Sequence, residues 1–166
     1  MSCSVARTLA VVGEAWTPLI VRDLYLGISR FDAIQRNLGA SRKVLAERLS
    51  TLLEHGVIER DAYQDNPPRY DYRLTEKGEG LALVLVAMKS WGDYWEPGDD
   101  GPPLVLRHDA CGAVSDPIPT CSGCGQPVGP RDFTLLPGPG ADAGPGTREI
   151  PAALERLGKA RVKAGA

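Results

Sequence analysis

The stretch Leu38–Arg60, LGASRKVLAERLSTLLEHGVIER, decides the fold. It opens on a Gly39-Ala40-Ser41 turn, and Ser41 is placed as an N-cap whose hydroxyl accepts from an otherwise unpartnered helix N–H. Leu45, Leu49, Leu52 and Leu53 share one helical face, and His55-Gly56 stops the helix, glycine being the favoured residue just past a helix end. Lys43, Glu47, Ser50 and Thr51 hold the opposite face, with Arg42 at the N-terminal rim, and Val57-Ile58 begin a strand. One buried side and one polar, partly basic side is what a helix docking in a DNA groove needs.

The neighbouring segments give that helix a context. Cys3–Val12 suits a helix, with Val5, Leu9 and Val12 spaced i, i+4, i+7, and Gly13 breaks it. A second apolar helix covers Thr17–Leu26, where Pro18 is tolerated in the first turn. After a turn at Gly27–Arg30, FDAIQRNL forms a short helix with Phe31, Ile34 and Leu38 inward. Two helices joined by a short glycine-containing turn make a helix-turn-helix. Downstream, VIERDAYQ alternates as a strand, DNPP at Asp65–Pro68 turns, and RYDYRLT returns. Thr75 then opens a long helix to about Glu96, with Leu81, Leu85, Met88, Trp91 and Trp95 in one stripe. The fold class is mainly α with a small β-hairpin wing, a winged helix-turn-helix.

Composition changes at Pro97, where proline and glycine take over. The expected organisation is a winged-helix DNA-binding and dimerisation domain over 1–96 and a linker over 97–103. A small zinc-ribbon-like module over 104–137 and a flexible tether with a short C-terminal helix over 138–166 complete it. Net charge is −2, so any basic footprint is local. No apolar run reaches the roughly 18 to 20 residues of a membrane span. MSCSVART has no signal-like apolar core, so a cytoplasmic location is expected. There, four cysteines point to metal or redox chemistry before structural disulfides.

CSVARTLAVVGEAWTPLIVRDL, FDAIQRNL, KVLAERLSTLLEHGVIER and PPRYDYRLTEKGEGL, taken in order from Cys3 to Trp95, resemble the HxlR-type family of bacterial winged-helix transcription regulators. The resemblance implies a homodimer that binds operator DNA as repressor or activator. It also implies a dimer contact made by the N-terminal helix and the helix after the wing, which here carry Val5, Leu9, Trp91 and Trp95. Leu85 and Met88 lie on the same stripe, and a helix this apolar has little intrachain surface to cover in so small a domain. Cys3 stands where many family members keep a cysteine, in some an oxidant or electrophile sensor. Arg7, one turn on, and the helix N-terminus would favour a reactive thiolate, but the preferred reading is an inert buried structural thiol, because one adjacent positive charge is weak support for reactivity.

The residue chemistry agrees with a DNA-binding role. Arg42 and Lys43 sit in the first turn after Ser41, where side chains reach bases and phosphates, and Glu47 is placed to accept from a cytosine amine. Arg30 and Arg36 suit phosphates, and Arg69 follows the wing prolines toward the minor groove. Between Arg30 and Arg48 five basic residues face two acidic ones. Arg48 lies nearer the buried face, with Glu54 or Glu14 as partner.

The appendage carries two copies of one device. His108-Asp-Ala-Cys111-Gly112 and Cys121-Ser-Gly-Cys124-Gly125 each give a ligand, two residues, a cysteine and a turn glycine, nine residues apart. A zinc knuckle needs that spacing, and four protein donors make a closed structural site. LVLR before and DFTLL after read as ribbon strands, and some thirty residues with few large apolar side chains need such a staple. A Cys121–Cys124 disulfide or free thiols is the alternative. The whole reads as a sequence-specific DNA-binding regulator, with a protein-docking adaptor as the competing class. An enzyme is not expected, since no nucleophile–base pair, phosphate loop or open metal position is present.

Overall fold

The computed structural model describes residues 3–141 and 143–164, with side chains through Leu157. Those residues divide into two units, Val11–Pro117 and a second built from Met1–Ala10 with Ile118–Ala166. The division falls inside the span expected for the ribbon module.

The first unit is the winged helix. Its order is α2 (Thr17–Tyr25), α3 (Phe31–Leu38), α4 (Arg42–Glu54), β1 (Ile58–Asp65), β2 (Pro68–Leu74), α5 (Glu76–Glu79) and α6 (Ala82–Trp95), preceded by α1 (Ser4–Val12), which begins in the other unit. Ile20, Val21 and Leu24 of α2 meet Ile34 of α3, Leu45, Leu49 and Leu52 of α4, and Val57, Ile58 and Tyr72 beside them. Full burial of one such aliphatic side chain contributes about 1.5–3 kcal/mol, so the leucine face of α4 is what seats it.

The ends of α4 follow the sequence closely. Ser41 Oγ accepts from the Val44 N–H at 3.2 Å, and Gly39 (φ +69°) and Gly56 (φ +62°) take the left-handed turns on either side. Beyond Gly56 the chain is locked from α5: Thr75 Oγ1 donates to the Gly56 carbonyl at 2.7 Å and Lys77 Nζ to the His55 carbonyl at 2.6 Å. Gly78 lies so close to the Val57 carbonyl that a Cβ there would sit 2.2 Å from the oxygen.

The wing is an antiparallel pair, Ile58 opposite Leu74 through Asp65 opposite Pro68, with an irregularity between Ala62 and Gln64. The turn is tighter than expected. Only Asn66 and Pro67 lie between the strands, and Pro68 is the first residue of β2, a position that needs no donated N–H. Ser29 and Arg30 lie against β2 through the Tyr72 N–H to Ser29 O bond (2.9 Å) and the Arg30–Asp71 bridge, so the start of α3 is fixed to the wing.

The expected single helix from Thr75 to Glu96 is two. An i+3 bond from the Leu81 N–H to the Gly78 carbonyl, 3.0 Å, tightens the chain at Gly80-Leu81 between α5 and α6. Gly78 must stay against Val57, and the tightened turn lets α6 leave on its own axis. The expected stripe also divides: Leu81 and Leu85 pack against the core, while Met88, Trp91 and Trp95 are exposed.

In the second unit, α7 (Ile150–Ala164) realises the expected C-terminal helix. The glycine-rich tether before it is folded into turns, with Ala141 N–H on Gly138 O at 2.9 Å and Thr147 N–H on Gly144 O at 3.0 Å. Thr147 is buried. Among the described residues no helix is long and apolar enough to cross a membrane.

Candidate nucleic-acid interface

Arg30, Arg36, Ser41, Arg42, Lys43, Glu47 and Arg69 are all exposed. Arg42 and Arg69 line one cleft of about 480 Å3 between the wing and the start of α3, together with Phe31, Asp32, Tyr63 and Tyr70. The N-terminal turn of α4 and the wing tip therefore present cations into a common opening. Arg36 stands apart from this cleft on the last turn of α3.

The arginines are held. Arg42 Nη1 donates to Asp32 Oδ1 at 3.0 Å and to Gln35 Oε1 at 3.3 Å, and its guanidinium lies 4.9 Å from the Phe31 ring centre. Arg30 Nε donates to Asp71 Oδ1 at 3.3 Å and its guanidinium lies 4.6 Å from the Tyr63 ring. Asp71 is itself positioned by Ser29 Oγ at 2.9 Å. Arg60 covers Tyr70 at 4.3 Å. A planar cation over an aromatic face keeps its fork directed with little entropy left to lose. Lys43, with Glu47 Oε1 at 3.9 Å, keeps its ammonium largely in water. Arg48 belongs to another system, because its Nη2 pairs with Glu14 Oε2 at 3.2 Å, one of the two partners its position allowed.

Sequence reasoning missed two contributors. The aromatic platforms Phe31, Tyr63 and Tyr70 carried a signal, since aromatics interleave with the basic residues at the wing. Asp23 carried none. Its carboxylate is fully buried at the α2–α3 contact, where it accepts from Arg22 Nη2 at 2.7 Å and Asn37 Nδ2 at 2.8 Å.

Each knuckle repeats the other's backbone. In the first, the Gly112 N–H donates to the His108 carbonyl at 2.7 Å and the His108 N–H to the Ala113 carbonyl at 2.8 Å. In the second, Gly125 donates to the Cys121 carbonyl at 2.7 Å and Cys121 to the Gln126 carbonyl at 2.8 Å. Gly112 and Gly125 have φ of +73° and +72°, and the flanking bridges, Arg107–Val114 and Thr120–Pro127, fall at matching positions. His108 Nδ1 lies 3.2 Å from Cys111 Sγ. Backbone N–H groups of Gly123 and Cys124 hold the Cys121 thiol below its ordinary pKa. All four cysteines are free thiols. LVLR and DFTLL do not form the expected ribbon strands; among the described residues the appendage has isolated bridges in place of a ladder. Each knuckle brings its own pair of donors together, and among the described residues no group of three or more His, Cys, Asp or Glu side chains gathers as a metal centre.

At the N-terminus, Cys3 is half-buried, and the Arg7 guanidinium reaches Ser4 Oγ at 3.0 Å. Val5 and Leu9 are exposed on α1, which has no buried residue among those described.

Comparison with known proteins bears on this geometry. The sequence pattern described as HxlR-like helix-turn-helix matches residues 11–100. The uncharacterized HTH-type transcriptional regulator Rv3095 of Mycobacterium tuberculosis is 44% identical over 140 residues, 84% of this chain and 89% of that protein. The crystal structure of PA1607, described as a putative transcription factor, superposes with a TM-score of 0.70 at 34% identity over 81% of this chain and 94% of its own. The redox regulator HypR in its reduced form gives 0.52 at 30% identity over 55% of this chain and 92% of its own. These likenesses are to regulators rather than enzymes, and they lend the docking-adaptor reading no support.

Proposed function

The chain belongs to the HxlR-like helix-turn-helix family of DNA-binding transcriptional regulators, and on that premise we propose that it binds operator DNA in the cytoplasm as a homodimer. The observation that carries the reading is the cleft lined by both Arg42 and Arg69. A helix N-terminus seated in a major groove and a wing tip against the flanking backbone meet DNA through these two side chains. Dimerisation accounts for α6, which leaves Met88, Trp91, Tyr94 and Trp95 exposed, and for Val5 and Leu9 on α1. A two-fold dimer offers two recognition helices to successive major grooves, about 34 Å apart, so the operator is a near-palindrome.

The knuckles hold zinc in this reading. His108, Cys111, Cys121 and Cys124 supply one nitrogen and three sulfurs, a donor set that structural zinc takes in four-coordinate form. Support comes from the repeated backbone geometry, in which a left-handed glycine turns the chain back beneath each donor pair.

A gel shift of the protein on its own upstream intergenic DNA at two salt concentrations tests the DNA reading. Binding should be saturable and fall steeply with salt as counterions are released. An Arg42→Ala/Lys43→Ala variant that protects the operator like the parent protein would remove α4 as the reader.

A further inference from the structure

In the unit formed by Met1–Ala10 and Ile118–Ala166, a hollow of about 830 Å3 opens between Cys3, the run Phe133–Pro137 and the first turns of α7. Small-molecule sites commonly measure about 300–1,000 Å3. Phe133, Leu135 and Leu136 form one wall, and Ile150, Leu154 and Leu157 the other. Phe133, Leu135, Leu136, Ile150 and Leu157 are exposed although they are among the most apolar side chains of the unit. Water against so much apolar surface in a concave space is unfavourable, and burying it offers about 25 cal/mol per Å2.

Hydrogen-bonded turns frame the hollow. The turn at Gly138–Ala141 is closed by its own hydrogen bond, and Thr147 Oγ1 accepts from the Gly144 N–H at 3.2 Å. The Thr147 carbonyl then accepts from the Ile150 N–H at 3.1 Å, which fixes where α7 starts.

Among the described lining residues Glu155 alone carries a charge, and it is exposed. A carboxylate among described lining residues that are otherwise apolar, apart from Cys3, Thr134 and Thr147, disfavours anions and accepts a hydrogen bond from an amine or hydroxyl. We propose that this hollow is a binding site for a small aromatic molecule bearing a hydrogen-bond donor, neutral or cationic, held by the apolar walls and oriented by Glu155. Cys3 lies in the lining immediately before α1, so an occupant covers its thiol. The site stands independently of how the winged helix meets DNA.

The test uses the full chain and two fluorescent dyes of similar size, the neutral amine N-phenyl-1-naphthylamine and the anionic 1-anilinonaphthalene-8-sulfonate. The parent protein should bind the neutral amine saturably, at one site per chain and at least tenfold more tightly than the sulfonate. Glu155→Lys, a surface change that leaves the fold intact, should reverse that preference. Leu154→Trp, which fills the hollow, should weaken the amine at least tenfold, while Tyr25→Ala, at an exposed aromatic on α2, should leave it unchanged. With the amine bound, alkylation of Cys3 by iodoacetamide, read by peptide mass, should slow at least fivefold. Equal affinity for both dyes, no change of preference in Glu155→Lys, loss of binding in Tyr25→Ala, or an unchanged Cys3 rate would each overturn the proposal.

Discussion

Asn37 Nδ2 donates to Asp23 Oδ2 at 2.8 Å, so α3, the helix before α4, is fastened to a carboxylate with no exposure to solvent. Arg22 takes the other oxygen. Removing Asn37 leaves one Asp23 oxygen buried without its donor. Asn37→Ala should cost about 1–3 kcal/mol, measured by urea unfolding. Asn37→Asp should cost at least as much near neutral pH, because it sets a second carboxylate against the first.

Arg42 is engaged before DNA arrives. Its contact with Asp32 is exposed on both sides, so the pair adds little to stability, on the order of 0–1 kcal/mol. Binding a base or phosphate means giving up Asp32. Asp32→Asn should leave the unfolding midpoint nearly unchanged and tighten operator binding, most at low salt, in a fluorescence anisotropy titration. Arg42→Ala should weaken specific binding by about 1–3 kcal/mol if the fork reads a base. A uniform loss on specific and random DNA would place it on phosphate.

The apolar flank of α6 predicts the oligomeric state. Trp91→Asp with Trp95→Ser should shift sedimentation from dimer to monomer and leave the helical circular dichroism signal in place, since both side chains lie outside the core. Operator affinity should fall with the loss of the second half-site.

Zinc analysis of protein purified without added metal should give close to one zinc per chain, and Cys121→Ser/Cys124→Ser should abolish it. A chelator should lower the thermal midpoint of the parent protein and leave that of the variant alone, because a ligand that binds only the folded state stabilises it by mass action.

Gly78→Ala tests the join between α5 and the wing. The added Cβ meets a backbone oxygen at 2.2 Å and cannot be relieved by a side-chain rotation. The cost should exceed about 1 kcal/mol, in the range of overpacked cores. Gly80→Ala, whose nearest neighbours lie at 3.4 and 3.7 Å, should be tolerated.

What was legible in the sequence was local. Ser41 as cap, Gly39 and Gly56 as turns and the leucines of α4 as its buried face are written in spacing, and spacing is what a helix obeys. The family resemblance added the expectation of DNA, a dimer and the helices that form it. What was not legible depends on residues distant in sequence. A single Asp in the apolar run of α2 gives no hint that Asn37 waits 14 positions on. A stripe of Leu81, Leu85, Met88, Trp91 and Trp95 has one period from end to end, and only the packed core shows that its first residues face inward and its last do not. The basic residues of the interface were plain, whereas the restraint of Arg30 and Arg42 by Asp32, Asp71 and two aromatic rings was not.

Lys89 has more to do than cap a turn of α6. Its ammonium lies 2.5 Å from Asp93 of the same helix and 3.5 Å from Asp116, just past the first knuckle. The hydrogen bond to Asp93 and the charge of Asp116 hold its pKa above the ordinary value despite partial desolvation. The returning limb of that knuckle is thereby moored to the helix that bears the free aromatic flank. Lys89 ties the segment from Gly112 to Asp116 to the same helix that leaves Met88, Trp91 and Trp95 exposed.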